Sequence, residues 1–434
     1  MNEQSSGKLI RTVGFAGLVA MCINAVVGSG VFLLPSESFT LLGPFSLWAP
    51  LLFAVPVFIL VLCFAEAASH FSEPGGAYLY ARTAFGEFVG FETGWMNWIA
   101  RTTSLASLSN GFVVALALLV PGVGEGLARH AIIIATIVIL AIIHLLGVKY
   151  GAASIYVFTL GKLVPLVGFI VISLIAFRHN PIPASMTLPG PGTDWNAAIL
   201  FLLFAYAGFE NLGVPAGEFK NPRRDLPFAL LVGILCIAAI YVLAQLGAMA
   251  TLTDLSATKT PIASAAAAIV GPIGALIVTV GALLSMAGTN SGTMLEGSRM
   301  LYALSLGRPN LRALSYVHDK FRTPTVAIVI HATVALALAL GGTFAKLALL
   351  SAVARLATYL FTAAGVPFIS YKAGVFRGLR AAGVTIISIL GVAVGLIIVI
   401  TLNAERLRLG AIALVIGAVL YFLAPRRVET AEPV

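Results

Sequence analysis

The chain reads as an all-α integral membrane protein of about twelve transmembrane helices, with the first and the sixth broken. Three observations point there. Of 434 residues, 59% are hydrophobic and only 10% are charged, with a mean hydropathy of +1.02; soluble domains carry about 25% charged residues. The apolar residues fall into runs long enough to cross a bilayer, which takes roughly 20 residues per helix. The basic residues sort by side once those runs are drawn. The bilayer is therefore the solvent, and the single domain expected over 1–434 is a transmembrane one.

The runs lie at about 13–35, 44–69, 87–120, 130–148, 153–177, 196–216, 226–250, 270–303, 324–342, 346–371, 383–402 and 409–424. The last is short, and the ninth and tenth meet at Gly341-Gly342. Polar residues Met1–Thr12 lead into the first run, which is longer than a signal-peptide core, so a retained first helix is expected. With that end cytoplasmic, 17 of the 26 Lys and Arg fall inside, six fall outside, and Arg101, Lys162 and Arg355 lie within spans. That asymmetry places both termini in the cytoplasm, in a multi-pass protein of the cell membrane. The same scatter of basic residues explains the net charge of +9 without a nucleic-acid partner. Arg178–Trp195, rich in Pro and Gly, reads as an irregular outside loop.

Two spans depart from plain Leu, Ile, Val and Ala. The first holds Gly28-Ser29-Gly30 near its middle, followed by Pro35. The sixth carries Phe204-Ala205-Tyr206-Ala207-Gly208-Phe209-Glu210, with Pro215 beyond. Each glycine motif alone is compatible with close helix packing. Together they occupy corresponding positions if the first ten helices form two five-helix halves, and such paired interruptions point to a midplane binding site. Unwound backbone is tolerated in a membrane only where it lines a cavity or binds something. New half-helix N-termini favour a carboxylate, while freed carbonyls favour an ammonium group.

Four motifs in order carry a family resemblance over nearly the whole chain: GSGVF at Gly28–Phe32, EPGGAYLYA at Glu73–Ala81, FAYAGFENLGVPAGEFKNPRRDLP at Phe204–Pro227, and SRMLYAL at Ser298–Leu304 with the later RTP at Arg322–Pro324. The sequence resembles the amino acid–polyamine–organocation transporter superfamily. The resemblance implies the leucine-transporter fold. That fold has a first repeat at about 13–177, an inverted second repeat at about 196–371, peripheral helices at about 383–424, and alternating access to a central site. It also implies an amino-acid substrate held by main chain around Val27, Gly28, Ser29 and Gly30 for its carboxylate. Phe204, Ala205 and Tyr206, with Gly208 nearby, would take its amino group. Phe204 would then be an aromatic gate; ordinary packing is the other reading.

Lys162 lies deep in the fifth run, and an intramembrane ionisable residue is costly enough to suggest function. In some members of this superfamily a lysine here stands where relatives hold sodium. The resemblance gives Lys162 that place, facing first-helix carbonyls and eighth-helix hydroxyls such as Ser285 or Thr289; burial would let its protonation change during the cycle, and a fixed structural cation is the other reading. Glu210 then either relays protons or bonds the loosened first helix. Arg101 is a buried charge whose partner the sequence does not choose, and Arg355 poses the same question. Glu66 sits at an inner helix end.

Proton-coupled symport of small or neutral amino acids is the leading expectation, because Glu210 is the one acidic side chain among the carried-over positions. An exchanger is the alternative, and a non-transporting sensor or a membrane enzyme comes after it. No cofactor or metal is expected. The six His show no HExxH spacing, no GxxxxGK[ST] phosphate loop occurs, and Cys22, Cys63 and Cys236 lie singly in apolar runs. Oligomeric state is not legible.

Overall fold

A computed structural model describes residues 13–72, 75–147, 151–176, 188–214, 216, 219–252, 254–306 and 308–424. The polar N-terminus, most of the Arg178–Trp195 loop, and parts of the EPGG and Pro215–Glu218 motif segments lie outside the described residues. Among the described residues fifteen α-helices follow one another. The first six are α1 (Phe15–Val26), α2 (Gly30–Leu42), α3 (Ala49–Ser69), α4 (Gly76–Phe85), α5 (Glu87–Leu116) and α6 (Gly126–Leu145). Next come α7 (Gly151–Ala176), α8 (Trp195–Tyr206), α9 (Pro222–Thr251), α10 (Pro261–Val270) and α11 (Pro272–Ser305). The chain ends with α12 (Thr325–Gly341), α13 (Phe344–Lys372), α14 (Gly378–Thr401) and α15 (Ala404–Leu423). Among the described residues the sole β pairing is an isolated bridge between Val13 and Phe219.

Each of the twelve expected spans contains a helix, and the fold is the all-helical, multi-span membrane architecture that the sequence predicts. Among the described residues eight helices are long and apolar enough to cross a membrane, and α1 with α2 makes a ninth, bent by 44° at the break. The shorter apolar helices α8 and α12 fill two more positions. The twelfth is α5, which is 30 residues long but interrupted by buried Thr93, Asn97, Arg101, Ser104 and Asn110. It can be polar because α4, α6, α11, α12, α13 and α15 surround it, leaving little of it to lipid.

Three details differ from the sequence reading. Short helices α4 and α10 occupy connections where none was expected. The last helix begins at Ala404 rather than near 409, because Asn403 caps it (Oδ1 accepts from Arg406 N at 3.0 Å) and Glu405 suits the positive end of its dipole. Its charged first turn is thus helical rather than loop.

Helix α5 packs against both α11 and α13 as the scaffold, and the broken pair α1–α2 lies against α8, α9 and α11. Tethering reinforces the arrangement: Lys220 N donates to Val13 O at 2.9 Å, tying the start of α1 to the segment after α8.

Candidate functional site

The break in the first span is built by sequence. Helix α1 ends at Val26, and α2 starts at Gly30 with Ser29 as its first flanking residue. The first amides of a helix have no intrahelical acceptor, so those of α2 face the gap. An ideal Cβ on Gly30 would lie 3.1 Å from Ala205 Cα, so glycine lets α2 touch the end of α8. At Gly28 a Cβ would meet only side chains, Thr289 at 3.4 Å and Leu108 at 3.6 Å, both ordinary contacts.

The second break follows Tyr206. Gly208 has φ 132°, and a Cβ there would sit 2.5 Å from Ala25 O, so the turn is pressed directly against the last turn of α1. The two breaks therefore meet at one place. A cavity of about 30 Å³ lies between them, lined by Gly28, Ser29, Gly30, Phe204 and Ala205 together with Arg101, Ser104, Leu108, Thr289, Thr293 and Arg355. Among the residues singled out by sequence, Val27, Tyr206 and Gly208 lie beside this cavity rather than on its wall. Phe204 is buried and meets Phe344 edge to face, with ring centroids 6.2 Å apart. Tyr206 points away, its hydroxyl donating to Pro50 O at 2.8 Å.

The freed carbonyls of α1 are bound by side chains. Lys162 Nζ, fully buried, donates to Asn24 O at 3.0 Å and Val27 O at 2.7 Å, and lies 3.3 Å from Thr289 Oγ1. Ser285 Oγ reaches Val27 O at 3.1 Å and Gly28 O at 3.0 Å. A cation at a helix C-terminus complements the helix dipole, and here it also satisfies the orphaned carbonyls. Tyr241 was not legible in the sequence. From α9 its hydroxyl lies 2.6 Å from Ala205 O and 3.2 Å from Val26 O, so one side chain spans both breaks.

Below the cavity sits a buried charge cluster. Glu210 accepts from Arg101 and Arg355, from Gly208 N at 2.8 Å, Asn211 Nδ2 at 3.2 Å and Tyr359 Oη at 3.3 Å. Arg101 also bonds Glu296 at 3.1 Å, and Arg355 bonds Ser104 Oγ at 2.8 Å. Two guanidiniums and two carboxylates cancel, as burial demands. Glu296 escaped the sequence reading; the signal available was a carboxylate within the TMLEGSRM stretch of the eighth span. Glu210 already caps the amide at the second break, and on α2 the amides of Phe32 and Leu33 bond Ser29 O, which leaves those of Gly30 and Val31 as the candidates for a ligand. Among the described residues, Ser29 Oγ and Arg101 Nε are buried without a hydrogen-bond partner, and both residues line the cavity. No group of three or more His, Cys, Asp or Glu among the described residues is placed to hold a metal.

A family model described as amino acid permease matches residues 13–423. The chain belongs to the amino acid permease family. Its relatives include the serine/threonine exchanger SteT of Bacillus subtilis, 29% identical over 346 residues, covering 77% of this chain and 78% of that protein. An uncharacterized transporter of Mycobacterium tuberculosis is 29% identical over 390 residues, covering 83% of this chain and 80% of the other. The b(0,+)-type amino acid transporter 1 of Homo sapiens is 24% identical over 349 residues, covering 77% and 70%. As a family member, the chain is an amino-acid transporter embedded in the membrane by multiple helices.

Proposed function

We propose that this amino acid permease is a secondary active transporter, not an enzyme, moving small or neutral amino acids across the cell membrane by alternating access with both termini cytoplasmic. The observation that carries the reading is the meeting of two broken helices at one cavity, with Gly30 against Ala205. The amides of α2 would receive the substrate carboxylate, and the carbonyl end of α8 its ammonium group. The halves at about 13–177 and 196–371 would be inverted repeats, rocking about this point, with 383–424 peripheral. At about 30 Å³ the cavity has room for a water or two and not for an amino acid. Ligand pockets start at roughly 300 Å³, so substrate entry requires the helices to part.

The charges favour substrates without an extra cation. Glu210 is committed to Arg101 and Arg355, so a lysine-like side chain would meet arginines rather than a free carboxylate. Coupling to protons is supported by Lys162. Its hydrogen-bond partners are neutral, so losing its proton strands no buried carboxylate while loosening the end of α1. A second reading, strict exchange, is favoured by the relative named as an exchanger.

Uptake of a labelled amino-acid panel into proteoliposomes separates them. Proton-coupled symport predicts accumulation into empty vesicles under an imposed proton gradient. Uptake confined to vesicles preloaded with amino acid, indifferent to the gradient, establishes exchange instead. Lys162→Ala is expected to abolish the pH dependence of transport; an unchanged rate and pH profile would remove Lys162 from the mechanism.

A further inference from the structure

Several helices that line the cavity carry, three residues further on, a side chain or a glycine that closes one end of it. On α2 Leu33 follows Gly30, and on α5 Gly111 follows Leu108. On α11, an even-numbered span running the other way, Met286 precedes Thr289. Three residues amount to about 4.5 Å of helix. The three positions converge with a fourth: a Cβ on Gly111 would lie 3.2 Å from Leu33 Cδ1, 3.3 Å from Phe344 Cδ2 and 3.4 Å from Met286 Sδ. Phe344, the first residue of α13, also meets the edge-to-face ring of Phe204, which stands on the cavity wall. Leu33, Met286, Phe344 and Phe204 are all buried. Four apolar side chains from four helices thus gather over the glycine of a fifth.

The two ends of the cavity differ in chemistry. At the end marked by Arg101, Thr293 and Arg355, Glu210 is held by both guanidiniums. Parting that end separates buried charges, which is costly. Parting the other end pulls apolar side chains from one another and leaves no hydrogen-bonding group of theirs unmatched. The apolar end also has a fixed and a moving side. Phe344 is anchored to α5, its carbonyl accepting from Ser107 Oγ at 2.8 Å. Leu33 and Phe204 sit on the broken spans, whose halves α2 and α8 touch at Gly30 and Ala205. The Phe204–Phe344 and Leu33–Gly111 contacts therefore divide the broken spans from the scaffold.

We propose that Phe344 is the fixed half of an apolar outer seal over the cavity and positions Phe204, the moving half, so that the site opens outward by parting these two rings while the Glu210 cluster stays closed. The inference rests on the proposed reading of the cavity as the substrate site and of both termini as cytoplasmic.

The test is the rate at which Leu108→Cys, on the cavity wall of an otherwise cysteine-free full-length protein, reacts with a small impermeant methanethiosulfonate. Right-side-out and inside-out membrane vesicles report the two faces separately. Adding Phe344→Ala should speed labelling from the outer face several-fold and leave the inner-face rate unchanged. Phe344→Tyr, which keeps the ring, should hold the rate near that of the parent. Leu33→Ala removes the seal from the moving side and should act as Phe344→Ala does; it replaces that variant if gel filtration shows the latter misfolded. Outer-face labelling no faster than in the parent overturns the proposal. So does an increase shared by both faces, which marks general loosening. An increase confined to the inner face overturns the outer placement and inverts the orientation. Labelling that obeys the seal in a protein without uptake of any amino acid would remove the transport reading and leave the seal standing.

Discussion

Gly208, Gly30 and Gly28 stand within a few residues of the same cavity yet face different demands. Gly208 combines φ 132° with Ala25 O at 2.5 Å from its would-be Cβ, Gly30 presses on Ala205 backbone at 3.1 Å, and Gly28 meets only side chains, the nearest at 3.4 Å. Alanine should therefore cost most at 208, at least the 1–3 kcal/mol typical of a forced backbone conformation. It should cost less at 30 and least at 28. Thermal unfolding in detergent ranks them, and a Gly28→Ala protein as unstable as Gly208→Ala would contradict the geometry. Glu210 invites a sharper forecast. Replacing it by Gln leaves two buried guanidiniums short of a counter-charge, a loss of about 3–5 kcal/mol. Adding Arg355→Met should recover part of that stability; simple additivity of the two losses would mean that the pair does not interact as drawn.

At the scale of elements, the helix breaks were readable because glycines, prolines and a stray carboxylate mark them locally. Partners across helices were not. Tyr241 looks like any aromatic in an apolar run, and nothing near it in sequence announces that its hydroxyl meets Val26 O and Ala205 O. Glu296 and the partners of Arg101 were hidden for the same reason: which helices face each other is set by packing, not by local pattern. The extent of α15 was misjudged because its charged first turn resembles a loop until the Asn403 cap is seen. Tyr241→Phe isolates the bridge. It should lower stability by roughly 1 kcal/mol, the net worth of a hydrogen bond, and change the transport rate more than substrate affinity. A variant with wild-type turnover would reduce Tyr241 to packing.

For the whole molecule, composition and run length placed a helix in every expected span, even where burial inside protein replaces burial in lipid and apolarity is weakest. Helix α5 shows why: enclosed by its neighbours, it carries Arg101 and a ladder of hydroxyls and amides that a hydropathy threshold rejects. The side assignment is open to direct measurement. Single cysteines placed at Lys346 and Arg312 in a cysteine-free background should react with impermeant maleimide from opposite faces of intact cells, 346 outside and 312 only after permeabilisation. The reverse pattern would invert the proposed orientation.

The hydroxyl of Tyr241 carries one proton and has two carbonyl claimants, one on each broken helix. If either helix swings away as proposed, the hydrogen bond from that hydroxyl can turn to the carbonyl that stays. Neither motion would strand the donor in a dry interior, although the shorter bond is the one to α8. Under the proposed alternating access, a single phenol would thus keep a carbonyl partner whichever way the site opens.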